Sequence, residues 1–348
     1  DLSLFKGRLS LSADYWTKDT KDLLFQVALP NTSGYESFVT NIGEVSNKGF
    51  DFQLGGTIIK NDNFSWNSDF NISFINNKVK KLPGGNDIQQ TERYLFGGVV
   101  SILREGESLG SFYLYESNGV FSTAKEAAEA GYIDKISKSN GGQPVAGDAR
   151  WVDQNKDGVI DTKDKIIAGN PIPDFTGGLN NTFKYKGLSL DAFFQFSKGN
   201  DVYNNFRTDL VRGFNTNYLK ENLDAWKQEG DITDVPRNVL LDPANNSEGV
   251  VARPSTRFLE DGSFIKLKTV TLTYEFPNSV LEKLKLSGLK VYAKGTNLLT
   301  ITKYSGFDPE VSVAQNNNAG QNGGFQFGID RGLYPLSKSI ILGLSLDF

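Results

Sequence analysis

Large apolar residues recur at every second position over several stretches of this chain. The final stretch is the clearest: Ile340, Leu342, Leu344, Leu346 and Phe348 alternate with Gly343, Ser345 and Asp347, with Ile341 the one exception. Side chains of a strand point alternately to its two faces, so a two-residue period predicts one greasy face and one polar face. The same period runs through Leu9, Leu11, Ala13 and Tyr15, and through Phe50, Phe52, Leu54 and Ile58. Between 64 and 74 it sets Phe64, Trp66, Phe70, Ile72 and Phe74 against Ser65, Asn67, Asp69, Asn71 and Ser73. It returns at 175–185, 188–196, 270–276 and 289–293. The pattern predicts about eight spanning strands, each near the ~9–11 residues that a tilted transmembrane strand needs. A half-buried strand of a soluble sandwich would share the terminal pattern.

The connections sort by length. Strands near 48–59 and 63–77 join through Lys60, Asn61 and Asp62, and those near 174–185 and 188–198 join through Lys186 and Gly187. A connection of about a dozen residues follows the strand near 263–276. The others are long, at 19–45, 78–173, 199–262 and 301–335. Short turns at one rim and long loops at the other are the build of an outer-membrane barrel, with the long loops outside the cell. The fold class expected is therefore all-β, a transmembrane antiparallel β-barrel over residues 1–348, with 78–173 and 199–262 as large extracellular loops. One short helix is expected from Thr123 to a stop at Gly131, with Thr123 as cap and Glu126 three residues on.

Composition agrees with a wall of this kind. Only 38% of the residues are hydrophobic and mean hydropathy is -0.36. Barrel strands place apolar residues at alternate positions only, so low average hydropathy does not exclude a membrane. A net charge of -4 argues against a nucleic-acid partner. The absence of Cys and His removes disulfides, thiolate metal sites and the commonest general base. The chain also has no Met, so Asp1 is expected to be internal to a longer precursor and Phe348 to be its true end.

Several segments resemble the SusC/RagA-like family of TonB-dependent outer-membrane transporters of Bacteroidetes. They begin with Asn41-Ile-Gly-Glu-Val-Ser-Asn-Lys-Gly-Phe-Asp-Phe52, Asp153-Gln-Asn-Lys-Asp-Gly-Val-Ile-Asp161 and Gly169-Asn-Pro-Ile-Pro-Asp-Phe175. Glu260-Asp-Gly-Ser-Phe-Ile-Lys-Leu-Lys268, Tyr304-Ser-Gly-Phe-Asp-Pro-Glu310 and the closing segment from Leu333 to Phe348 follow in family order. The resemblance implies the C-terminal part of a barrel of about 22 strands with a plugged lumen. It implies import of a nutrient, a glycan or peptide fragment, with a SusD-like surface lipoprotein as lid. The TonB–ExbB–ExbD system would act through the missing N-terminal region, and Phe348 would be the signal read by the barrel-assembly machinery. The setting is outer-membrane lipid and no bond chemistry is expected. A non-transporting outer-membrane barrel with adhesive or structural loops is the second reading, and a soluble calcium-binding β-protein the third.

The strongest local site expected is a Ca²⁺ loop. Asp153, Asn155 and Asp157 fall at positions 1, 3 and 5 of an EF-hand-like loop, with Gly158 at the sharp turn. The Val159 carbonyl, Asp161 and Asp164 take positions 7, 9 and 12. Position 12 is Asp where Glu is usual, and no helix precedes the loop. A solvated turn loop is the plainer alternative. Phe112, Tyr113, Tyr115, Trp151, Phe206 and Trp226 are candidates for substrate or lid contact, because flat rings stack on sugar faces and suit interfaces. The same rings also suit packing of the loops against one another. The acidic pairs Glu260–Asp261 and Asp308–Glu310 read as solvated loop residues.

Overall fold

The computed structural model describes residues 1–28, 31–35, 37–91, 99–137, 139–211, 217–239, 253–311 and 327–348. Alternating sequence becomes one antiparallel sheet whose strands lie in chain order. A short strand, β1 (Leu2–Leu4), pairs with the long β2 (Leu9–Ala28). Then come β3 (Ser37–Lys60), β4 (Phe64–Lys81), β5 (Phe175–Tyr185) and β6 (Leu188–Lys198). β7 (Phe264–Glu275), β8 (Gly288–Thr302) and β9 (Ser339–Asp347) complete the wall. The long strands match the expected set. Among the described residues no helix is long and apolar enough to cross a membrane.

Register lines the apolar residues up into continuous rows. Leu11, Leu54, Phe70, Leu179, Phe194, Leu267 and Leu299 stand side by side from β2 to β8. A second row runs Ile59, Trp66, Phe183, Leu190, Leu272, Ala293 and Leu342. Cross-strand rings stack within these rows, as Trp66 does on Phe183 with centroids 5.5 Å apart. The intervening rows are polar, for example Ser12, Gln53, Asn71, Gly178, Gln195, Lys266 and Thr300. The apolar face is bare of protein, with Leu342 79% exposed. A contiguous apolar face of this extent belongs against lipid, which puts the polar rows on the inside of the wall.

One connection is corrected. The segment 19–45 is mostly strand, because β2 and β3 continue to pair well beyond the apolar alternation. Lys18, Asp19 and Thr20 face Asn47, Ser46 and Val45. Backbone pairing needs no greasy face once the strands leave the lipid, so the sequence signal fades before the ladder does.

The long connections fold into their own body. Between β4 and β5, Lys165–Gly169, Ser111–Tyr115, Val99–Leu103 and Ile88–Thr91 make a four-stranded sheet. Asp201–Asn204, from the connection after β6, pairs with Leu259–Asp261 on one side and with Ile329–Asp330 on the other. A single core then gathers Val100, Phe112 and Leu114 with Tyr203, Phe258 and Ile329, so three long connections share one hydrophobic centre. The short helix forms at Ala124–Ala128, and the Thr123 hydroxyl accepts the Glu126 N–H at 3.2 Å. Within the connections 78–173, 199–262 and 301–335, residues 92–98, 138, 212–216, 240–252 and 312–326 lie outside the described residues.

Candidate functional site

Chemistry-bearing side chains concentrate at the rim with the long connections. Asp153 to Asp164 folds as a tight loop held by its own carboxylates. The Asp153 carboxylate accepts the N–H groups of Lys156 at 2.7 Å and Gly158 at 2.8 Å. Asn155 and Asp157 accept the N–H groups of Asp157 and Val159. These bonds hold Lys156 and Gly158 at left-handed φ of 59° and 77°. Asp164 is fully buried and caps a 3₁₀ turn, Thr162–Asp164, taking the N–H groups of Gln154 and Asp161 on its two oxygens. The side chains expected to hold a cation are thus brought into one loop in chain order. Among the described residues no group of three or more Asp or Glu side chains converges as a metal site.

The aromatic candidates divide. Phe112, Tyr113, Tyr115 and Trp151 are buried inside the loop body, which corrects the expectation that they face a substrate or lid. Phe112 belongs to the shared core. Tyr115 and Trp151 pack edge to face at 6.4 Å beside Phe121 and Tyr132. These strand residues sit where the loop sheet needs mass, and alternation that faces lipid in the wall faces a core here. Trp226 is half-buried, and its indole N–H donates to the Ser122 carbonyl at 3.1 Å. Phe206 is half-buried and lies 5.7 Å from the Phe307 ring.

Charged groups knit the rim. Arg253 is fully buried and bonds Asp134 at 2.7 Å, while its guanidinium lies 4.4 Å from the Trp151 ring centroid. Arg207 reaches Glu221 at 2.7 Å and Glu260 at 3.2 Å. Lys266 from the inner face of β7 bonds Asp308 and Glu310, and Lys268 bonds Glu310 at 2.5 Å. Sequence reasoning missed this cluster. The signal available was two lysines within an alternating wall strand, which need counter-charges if they are covered. The acidic pair Asp308–Glu310 supplies them, and Glu260 binds Ser305 and Arg207 in place of solvent.

Burial sets the titration of this rim. It pushes the Tyr132 phenol up to about 12 and drops the Lys165 ammonium to about 8. Burial also lowers Arg257 to about 10, against the attraction of Glu221. Burial, and then the hydrogen bond to Asp330, hold the Tyr304 phenol far above its ordinary value. The arrangement positions loops and charges.

A twisted antiparallel wall, greasy outside and polar within, with its long connections knitted over one rim, defines a segment of an outer-membrane β-barrel. Comparisons with known proteins place it further. No protein-family model matches the chain. It is 37% identical over 350 residues to the TonB-dependent receptor P3 of Formosa agariphila, covering all of this chain and 33% of the receptor. It is 27% identical over 360 residues to the TonB-dependent receptor SusC of Bacteroides thetaiotaomicron, again over the whole chain and 31% of SusC. Among solved structures, that of the RagAB peptide transporter superposes with a TM-score of 0.76 at 28% identity, over 99% of this chain and 34% of the other. The chain belongs to the SusC/RagA-like family of TonB-dependent outer-membrane transporters, and it spans about a third of the length of these relatives. That family is one of receptors and transporters, not enzymes, and its place is the outer membrane.

Proposed function

We propose that this chain forms part of the wall and outer loops of an importer that takes a nutrient, a glycan or peptide fragment, across the outer membrane. The likeness of the whole chain, loops included, to the RagAB peptide transporter carries this reading. Parts shared with a peptide transporter extend to the rim where cargo enters, not only to a generic wall. A SusD-like surface lipoprotein is the expected partner at that rim, which faces outside the cell. Energy comes from TonB–ExbB–ExbD acting on regions outside this chain. The test uses the intact transporter in its own cells with labelled oligosaccharide and oligopeptide pools. Accumulation should stop when the proton-motive force is collapsed or the neighbouring surface lipoprotein is deleted. Accumulation unchanged by both treatments would count against import and leave the adhesive-loop reading in place.

The loop Asp153–Asp164 is proposed to take one Ca²⁺ through Asp153, Asn155, Asp157, the Val159 carbonyl, Asp161 and Asp164. Supporting this, each carboxylate oxygen of Asp153 spends one lone pair on a backbone N–H and keeps another for a cation. The role is to stiffen a loop. Calcium titrated into the metal-stripped transporter should bind once per chain, and Asp157→Ala should abolish the event. Equal heats for wild type and variant would sink the assignment. Phe348, 93% exposed, is proposed as the assembly signal, so Phe348→Ala should lower the yield of heat-modifiable, folded barrel.

A further inference from the structure

The connection after β8 does not leave the wall directly. Residues 303–311 fold back across the inner face of β7, where Lys266 stands in a polar row between Gln195 and Thr300. A lysine in a wet lumen needs no partner. Lys266 is covered instead, its side chain only 2% exposed, and it is met by both Asp308 and Glu310. Lys268 sits at a bulge in the β7–β8 ladder and shares Glu310 with it. Two ammonium and two carboxylate groups make a neutral cluster, and removing one member leaves a covered charge unpaired, which is costly. These pairs hold the segment on the wall.

Its other end is tied to the loop body. Glu260 accepts from the Ser305 N–H and hydroxyl, both at 2.8 Å, and the Tyr304 hydroxyl donates to Asp330 at 2.5 Å. Gly306 is required between them, because a Cβ there would lie 2.4 Å from the Tyr304 ring. Phe307 follows, 60% exposed and paired with Phe206. The strap is thus fixed to the polar face of the wall through Lys266 and Lys268, and it carries an exposed aromatic ring.

We propose that residues 303–311 are a lumen strap that presents Phe307 to passing cargo, with Lys266 as the residue that positions it. The proposal rests on the import reading. Phe307 contacts cargo through its ring face, so its partners are sugar rings or apolar and aromatic side chains. Lys266 acts only through the strap.

The test uses the intact transporter and reads two things. Amide exchange over 303–311 should quicken about tenfold or more in Lys266→Met, while the amides of β8 keep their protection. Phe307→Ala and Lys266→Met should each raise the half-saturation concentration for uptake about fivefold or more, and the double variant should do no more than either alone. The charge exchange Lys266→Glu with Glu310→Lys should restore protection in part. If Lys266→Met fails to assemble, Asp308→Asn with Glu310→Gln breaks the same pairs from the strap side. Unchanged exchange over 303–311, or uptake indifferent to Phe307→Ala, overturns the proposal. A wild-type transporter that imports nothing overturns the import reading instead, and the exchange measurement still decides the strap.

Discussion

At the scale of residues, the buried Arg253–Asp134 pair is the most exacting feature. Asp134 also takes the N–H groups of Ile136 and Ser137, so its negative charge is well organised only while the guanidinium is present. Arg253→Ala should destabilise the loop body by about 3–5 kcal/mol. Adding Asp134→Asn should return a large part of that loss in a double-mutant cycle by chemical denaturation, and an additive double variant would refute the coupling. Lys165 makes the opposite demonstration. Burial lowers its pKa from 10.5 to about 8 in the folded chain. Below pH 8 both states hold the proton and the full penalty is present. Between about 8 and 10.5 the unfolded chain binds more protons, so stability should rise with pH, by on the order of 1–3 kcal/mol. Lys165→Met should flatten that rise in denaturation midpoints measured across the window. Neither role was readable from the sequence. Arg253 and Asp134 lie on different connections, and burial of Lys165 depends on Tyr113 and Tyr115 closing over it.

At the scale of elements, the turns decide register. Lys186 and Gly187 adopt φ of 44° and 85°, the paired left-handed conformation whose twist suits a two-residue hairpin. A Cβ on Gly187 would also sit 2.7 Å from the Glu275 carbonyl oxygen. Gly187→Ala should cost about 1–2 kcal/mol, read as a lower urea midpoint for refolding into detergent micelles, and an unchanged midpoint would refute it. Here the sequence was a good guide. Lys-Gly between two alternating runs has few other uses, and the strands either side pair in full register. The β2–β3 hairpin shows where the guide stops. A mostly polar stretch, Thr17–Asp22, interrupts the alternation there, yet the ladder runs on through it to Leu23, Phe25 and Val27, and only the backbone pairing shows that continuity.

At the scale of the whole molecule, the wall separates two solvents. Thr271 and Leu272 are chain neighbours on opposite faces, Thr271 opposite Asp191 in an inner row and Leu272 opposite Leu190 and Ala293 in an outer one. Leu272→Arg should cost about 2–4 kcal/mol in folding into lipid, whereas Thr271→Arg should cost under about 1 kcal/mol. Equal losses for the two in a vesicle-folding titration would invert the assignment of faces. That assignment was legible in the alternation, because lipid leaves apolar side chains on one face only. The outer body was not legible, since a central strand, Ser111–Tyr115, buries both faces and its strands come from connections far apart in the chain.

The strand Asp201–Asn204 is flanked by Leu259–Asp261 and, in parallel, by Ile329–Asp330. In the wall every strand meets its sequence neighbour, so hairpins can be laid down one after another as the chain arrives. The outer body obeys a different clock. Its middle strand must wait for a partner delivered between β8 and β9, and closing so long a loop slows the step. In this segment the outer body is therefore expected to close late, after the wall strands β1 to β8 have paired beneath it.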